Sequence, residues 1–574
     1  MGHLRPALSW ASAYRNTKTP FTCVSCLSHT YKQRRFPSRT HATQAHPKKP
    51  YYVTTPIFYV NAAPHVGHLF TMVTADVLKR WQLLLGNTDA QLLTGTDEHG
   101  MKIQRAAQEA GMDTQEFCDM NCQTFKDLAK AANLKHDHFI RTTDDAHKDA
   151  VRYFWEMLRH RGYIYTAKHE GWYCVSDETF YPQSQVQASL DPATGRKIMT
   201  SVETGKEVEW STETNYHFRL SAFRDRLLEF YKENVDWVSP SPYYRDLYSS
   251  IESGLQDLSI SRPVERLSWG IRVPGDETQT IYVWLDALVN YLTKAGYPFT
   301  PGKESDLGWP ADVQVVGKDI MRFHCVYWPA FLMALDLPLP RKVLVHGHWT
   351  MNREKMSKST GNVVNPFFAI NRFDVDTIRF FLTMQGPLVS DSDYDNDYIV
   401  RDYKKYLQDG LGNLMSRTMG VAKWKPRVSI DAAAAGSLPA PTDLDKVIEE
   451  ALHITPSRTK MHMDLLKPRA ALREVIWLIQ GAQKYLHLSA PWQYKEDPQQ
   501  AQRIVYNVCE SLRIAGILLS PFMPQKSAEI LDFLRVGTDV SKRNFEAATY
   551  GADFEYGEVE KTSKLLFPPL LIEN

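Results

Sequence analysis

Residues 51–68 read YYVTTPIFYVNAAPHVGH, and this stretch decides the fold. The β-branched and aromatic run Tyr51–Thr55 predicts a short buried strand. Pro56, Asn61 and Pro64 then make a loop, and a helical pattern runs from Gly67 to about Leu85. A second strand is expected at Ala90–Leu93; it leads into Gly95-Thr96-Asp97-Glu98-His99-Gly100, and another helix follows. Strand, loop and helix repeated in this way predict an α/β fold whose parallel sheet binds its ligand at the strand C-terminal ends.

Working outward, 574 residues are too many for one core, so three or four domains are expected. Hydrophobic residues make up 43% of the chain and charged residues 23%, as in ordinary globular proteins, and no uncharged apolar run is long enough to span a membrane. Residues 1–50 contain nine Lys or Arg and no Asp or Glu, and are rich in Ser and Thr. That composition suits an organelle transit peptide, with residues 1–48 as the expected presequence and the mitochondrial matrix as the address. The alternative is a basic tail that helps to bind RNA. Cys23 and Cys26 form a lone CxxC inside this segment, and the seven scattered cysteines make no disulfide framework.

The aromatic, turn-rich stretch 166–249 reads as an insertion that divides the catalytic domain into 49–165 and 250–340. After a connecting segment, 341–397, strand signals fade, and long helical patterns at 444–488 and 498–518 dominate a helical domain, 398–574. The stretch 428–443, with an Ala run, Gly436, Pro439 and Pro441, is expected to be a surface loop.

Two motifs carry the chemistry. In Pro64-His65-Val66-Gly67-His68, two imidazoles three residues apart at a helix N-terminus can face one phosphate, and Gly67 allows close approach to the backbone. Alone, two such histidines are equally a metal fragment or surface residues. In Lys355-Met356-Ser357-Lys358-Ser359, two lysines in a short polar loop suit a mobile clamp on triphosphate; the bland alternative is a solvated basic loop.

In this order and context the two motifs resemble the HIGH and KMSKS signatures of class I aminoacyl-tRNA synthetases. From about Tyr51 to the end the chain looks closest to methionyl-tRNA synthetases of the bacterial and organellar kind. The resemblance implies a Rossmann-type catalytic domain split by a small connective insertion, then an α-helical anticodon-binding domain. It implies ATP contacts at His65, Gly67, His68, Lys355, Ser357 and Lys358, with His65, His68, Lys355 and Lys358 catalytic. It also implies a methionine site of Pro56, Ile57, Tyr59, Asp97, Trp284, Ala287, Tyr291, Ile320, Phe323 and His324, with Asp97 holding the α-amino group. An aromatic slot suits a polarizable thioether, although any one of these aromatics taken alone reads first as core.

Asn413, Arg417 and Trp492 match the anticodon-reading positions, where an aromatic face can stack an unpaired base. The partners implied are methionine, ATP with Mg²⁺ and tRNA(Met) with its CAU anticodon, acting on a monomer away from membranes. Two departures stand out. The inserted segment keeps only Cys174 of the family's cysteine knuckles, so no structural zinc is expected there. His487-Leu488-Ser489 also stands where relatives carry acidic residues. Synthetases for leucine, isoleucine or valine are rivals, but carry a much longer editing insertion and different pocket segments. A non-catalytic tRNA-binding relative is the rival from another class.

Overall fold

The quoted stretch builds the centre of a seven-stranded sheet: β1 is Tyr52–Thr54, β2 Phe58–Tyr59, β3 Gln91–Asp97, β4 His138–Arg141, β5 Val238–Ser239, β6 Val313–Gly317 and β7 Val343–His346. This computed structural model describes residues 49–175, 179–191, 194–202, 204–300, 302–356, 363–419, 425–494, 498–559 and 565–570. The strands pair parallel in the order β5-β7-β6-β1-β3-β4, with β2 beside the C-terminal end of β3. The chain runs from β1 out through β3 to β4, then returns to build the other half across β1. The order therefore reverses between β1 and β6, where the crevice of an open parallel sheet forms.

Strand alternation sends neighbouring side chains to opposite faces. Val53, Leu92, Val315 and Leu344 enter one core, whereas Tyr52, Leu93, Val316 and Val345 enter another. The first core is covered by helices Val66–Leu84 and Thr114–Ala131 and continues into the C-terminal helices. The second is covered by helices Asp145–His160 and Val283–Lys294. Burial on both faces is why these strands are apolar runs rather than alternating ones.

The 166–249 stretch is not one separate body. An antiparallel sheet pairs Ile164–Cys174 with Glu207–Phe218 in register from Ile164↔Phe218 to Tyr173↔Glu209. Past it, Leu227, Tyr231, Leu247 and Ile251 enter the second core, and β5 joins the parallel sheet through Val238↔Val343. The aromatic richness that suggested a module belongs in part to catalytic-domain packing. Cys174 lies buried against Tyr181 and Val208. Among the described residues no cluster of three or more His, Cys, Asp or Glu could hold a metal ion.

Past Asp393 the described residues form helices, among them Pro426–Ala434, Asp443–Asp464, Pro468–Ser489 and Pro498–Leu519. Two expectations need correcting. Residues 426–434 are helical rather than loop: Pro426 starts the first turn, the alanines are good helix formers, and Ile430 is buried. The 444–488 pattern is two helices, broken where Leu466 takes φ 54° and Pro468 starts the second. Arg379 ties this region to the helices that cover the sheet: fully buried, it pairs with Asp76 at 2.6 Å and donates to the carbonyls of Ala132, Pro521 and Phe522.

Candidate active site

The loop after β2 ends in His65, the N-cap of helix Val66–Leu84. Gly67 N–H donates to His65 Nδ1 at 3.0 Å, and His65 N–H donates to His68 Nδ1 at 3.2 Å. Two imidazoles thus form a reciprocal capping box and satisfy backbone donors a helix start leaves over. Their rings stack at 3.7 Å between centroids, and His68 also packs on Phe58 and Phe125. Because each Nδ1 accepts a hydrogen bond, each neutral ring carries its proton on Nε2. Gly67 has a reason the sequence did not show: a Cβ there would meet Cε1 of the His65 ring at 2.8 Å.

The lysine motif is anchored against the same helix end. Glu354–Lys355 pairs with Trp349–Met351, which pairs with Ser392–Asp393. Just past the motif, the carbonyl of Val364 accepts the N–H of Val66 at 3.2 Å. The base of the loop therefore sits on the first turn of the histidine helix. Ser357 and Lys358 lie outside the described residues, and at Lys355 only the backbone is described.

Across the strand ends lies the expected methionine slot. Trp284 and Phe323 stack face to face at 3.7 Å, and Trp284 meets His324 edge-on. Ile57, Tyr59, Ile320 and Phe323, all half-buried, pack on the second core beside Trp284, and Pro56 is buried. The Ile320 carbonyl can only accept, so His324 Nδ1 donates to it at 2.9 Å. Burial pushes His324 down to about 4, so the ring is neutral at physiological pH. Its Nε2 is then the acceptor for the Tyr291 hydroxyl at 2.7 Å. Ala287 and Tyr291 are buried on the same helix as Trp284. The wall is neutral and aromatic, so a charged substrate side chain would lose hydration without gaining a partner.

Asp97 is buried at the C-terminal end of β3, where its charge adds to the burial that raises the Tyr291 phenol. The structure therefore gathers the first-strand residues, Asp97 and the two pocket segments, and sets the histidine helix opposite. In the helical region Arg417 lies over the Trp492 ring at 5.6 Å, and Asn413 stands exposed one helical turn before Arg417.

Sequence reasoning missed the polar scaffold under the Asp97 loop. Glu98 takes both ends of a fork from Arg141, at 2.7 and 2.8 Å. His99 Nδ1 and His147 Nε2 bracket the Asp286 carboxylate at 2.7 and 2.8 Å. One signal was present: Asp286 is the only charged residue in the apolar run Tyr282–Leu288, and a buried carboxylate there requires partners.

A switch-point crevice with paired imidazoles at its helix N-terminus, joined to the base of a lysine loop, defines a class I aminoacyl-tRNA synthetase. Residues 51–419 match the family model "tRNA synthetases class I (M)", and residues 437–568 match "Anticodon binding domain of methionyl tRNA ligase". The chain belongs to the methionyl-tRNA synthetases, ligases that join methionine to tRNA. The probable mitochondrial methionine–tRNA ligase of Neurospora crassa is 48% identical, covering 99% of this chain and 94% of that one. The Schizosaccharomyces pombe counterpart is 46% identical over 89% of this chain and 94% of its own. The Mycobacterium tuberculosis methionyl-tRNA synthetase bound by methionyl-adenylate is similar with TM-score 0.82 and 36% identity, covering 91% of this chain and 100% of that chain.

Proposed function

We propose that this chain activates methionine with ATP to methionyl-adenylate and pyrophosphate, then transfers methionine to the 3′-terminal adenosine of tRNA(Met) for translation in the mitochondrial matrix. The observation that supports this reading most is the Val66–Val364 hydrogen bond, which ties the residue just past the lysine motif to the first turn of the histidine helix, at one end of the crevice. The aromatic slot and Asp97 occupy the other.

The activation step needs no general base, because an α-carboxyl with a pKa of about 3.5 is ionised at neutral pH. The carboxylate attacks the α-phosphorus of ATP, which enters as its Mg²⁺ complex, and pyrophosphate leaves in line. His65 and His68 offer Nε2–H donors to phosphate oxygens beside the positive end of their helix. Lys355 and Lys358 neutralise charge gathering on the leaving pyrophosphate, and Gly67 and Ser357 border the nucleotide. Asp97 holds the α-ammonium by a charge-assisted hydrogen bond. Pro56, Ile57, Tyr59, Trp284, Ala287, Tyr291, Ile320, Phe323 and His324 enclose the thioether, whose sulfur gains ring contacts that a branched side chain forgoes.

Gly67→Ala tests the imidazole pair. A Cβ at that position drives the His65 ring off its cap, so methionine-dependent pyrophosphate exchange should fall about 10²-fold. Calorimetry should register only the loss of one cap, about 1 kcal/mol. Wild-type exchange in this variant would show that the cap geometry is irrelevant to activation.

Asn413, Arg417 and Trp492 are the proposed anticodon readers, with Trp492 the stacking face and the other two hydrogen-bonding base edges. Stacking contributes about 1–3 kcal/mol per base, so Trp492→Ala should lower tRNA charging about 10–100-fold. Exchange without tRNA should stay unchanged, and a transcript with an altered anticodon should be charged as poorly by wild type. Equal losses in both assays would remove the anticodon role.

The division of labour proposed is catalytic domain 49–165 and 250–340 together with the core-packed stretch 219–249, a connective insertion that closes near Phe218, loop-bearing segment 341–397 and helical anticodon domain 398–574; Leu227, Tyr231, Leu247 and Ile251 in the second core support that closing point. The acid-free basic segment 1–48 and the mitochondrial names of relatives support the matrix address. A monomer is proposed. Among the described residues no helix is long and apolar enough to cross a membrane.

A further inference from the structure

We propose that Asp286, bridged between His99 and His147, is a positioning residue for methionine binding that locks the loop carrying Asp97 to the helix that lines the thioether slot. This rests on the roles of Asp97 and the slot given above. Three successive side chains of the loop each go to a different place. Asp97 lies at the end of β3, Glu98 is forked by Arg141 at the end of β4, and His99 reaches Asp286 on helix Val283–Lys294.

Each Asp286 oxygen takes one imidazole: Oδ2 faces His99 Nδ1 at 2.7 Å and Oδ1 faces His147 Nε2 at 2.8 Å. His147 comes from helix Asp145–His160, and its Nδ1 lies 3.0 Å from Thr293 Oγ1, back on the Asp286 helix. Asp286 and His147 are 0% exposed and His99 4%. Burial by itself would raise the Asp286 carboxyl, but the two imidazoles outweigh it and hold the group below the usual carboxylate range. The bridge therefore holds a charge in the interior, and such a charge tolerates few geometries: losing one partner strands it.

The helix so held is the one that bears Trp284, Ala287 and Tyr291. With both oxygens engaged and no exposed surface, Asp286 acts through its neighbours. It fixes the distance between the group that takes methionine's ammonium and the groups that take its side chain. The histidines that face ATP phosphates belong to another helix, which predicts a loss confined to methionine.

The test is pyrophosphate exchange on the full chain, titrating methionine and ATP separately. Asp286→Asn and His147→Leu should each raise the half-saturating methionine concentration at least tenfold and leave that for ATP within twofold. Both should regain the wild-type rate at saturating methionine. His147→Gln, which restores an N–H donor, should return methionine saturation toward wild type. An equal rise for ATP, a rate that saturating methionine does not restore, or wild-type saturation in the variants overturns the proposal. If Asp286→Asn does not fold, the His147→Leu and His147→Gln pair decides alone. Dependence of the wild-type protein on another amino acid would instead fail the underlying reading of the slot.

Discussion

His68→Ala is expected to slow methionine-dependent pyrophosphate exchange about 10²–10³-fold, the usual cost of removing one preorganised donor from a developing phosphate charge. The ring does two jobs at once. Its Nδ1 accepts the His65 N–H and its stacked face fixes the His65 ring, so both imidazoles lose their aim when it goes. Its Nε2–H then no longer meets phosphate. The stability loss should stay near that of one helix cap, about 1 kcal/mol, because Phe58 and Phe125 still stack on each other. A thermal scan alongside the exchange assay separates the two. A large drop in melting temperature with exchange restored at lower temperature would contradict the assignment and make His68 a packing residue.

The second large effect is expected at Lys358. Lys358→Ala should lower the exchange rate about 10²–10³-fold with methionine saturation nearly unchanged, since the lysine meets charge that grows as pyrophosphate departs. Val364, just past the motif, accepts the Val66 N–H on the first turn of the histidine helix, which is the ground for expecting Lys358 to act on phosphate rather than on the amino acid. A further consequence distinguishes this lysine from a residue that holds tRNA. Transfer from supplied methionyl-adenylate to tRNA should proceed at the wild-type rate in single turnover, because pyrophosphate has already gone. A transfer step slowed as much as activation would place Lys358 on the tRNA instead.

What was legible in the sequence was whatever local pattern determines. The Tyr51–Thr55 run and the stretch from Gly67 to Leu85 give β1 and the first helix nearly to the residue, because a doubly covered strand must be apolar and a run of helix-compatible residues without Gly or Pro continues from His68 until Gly86. The slot could be gathered from Trp284, Tyr291, Phe323 and His324 only through family resemblance; each aromatic by itself reads as core. The bridge through Asp286 was out of reach because its partners stand 187 and 139 residues away along the chain. Residues 428–434 were misread because a run of alanines beside Gly436 and two prolines looks like a linker, while tertiary burial of Ile430 made it helical. The glycine of the first motif was expected to admit the nucleotide. The structure adds that it must also leave room for the imidazole of its own cap.

The most direct test is amino-acid-dependent pyrophosphate exchange on protein starting near Lys48, comparing methionine, leucine, isoleucine, valine and cysteine. Exchange is expected with methionine alone, lowered about 10²–10³-fold by Lys358→Ala. Exchange with any of the other four in place of methionine would contradict the reading of the slot, and no exchange with any of them would contradict catalysis itself.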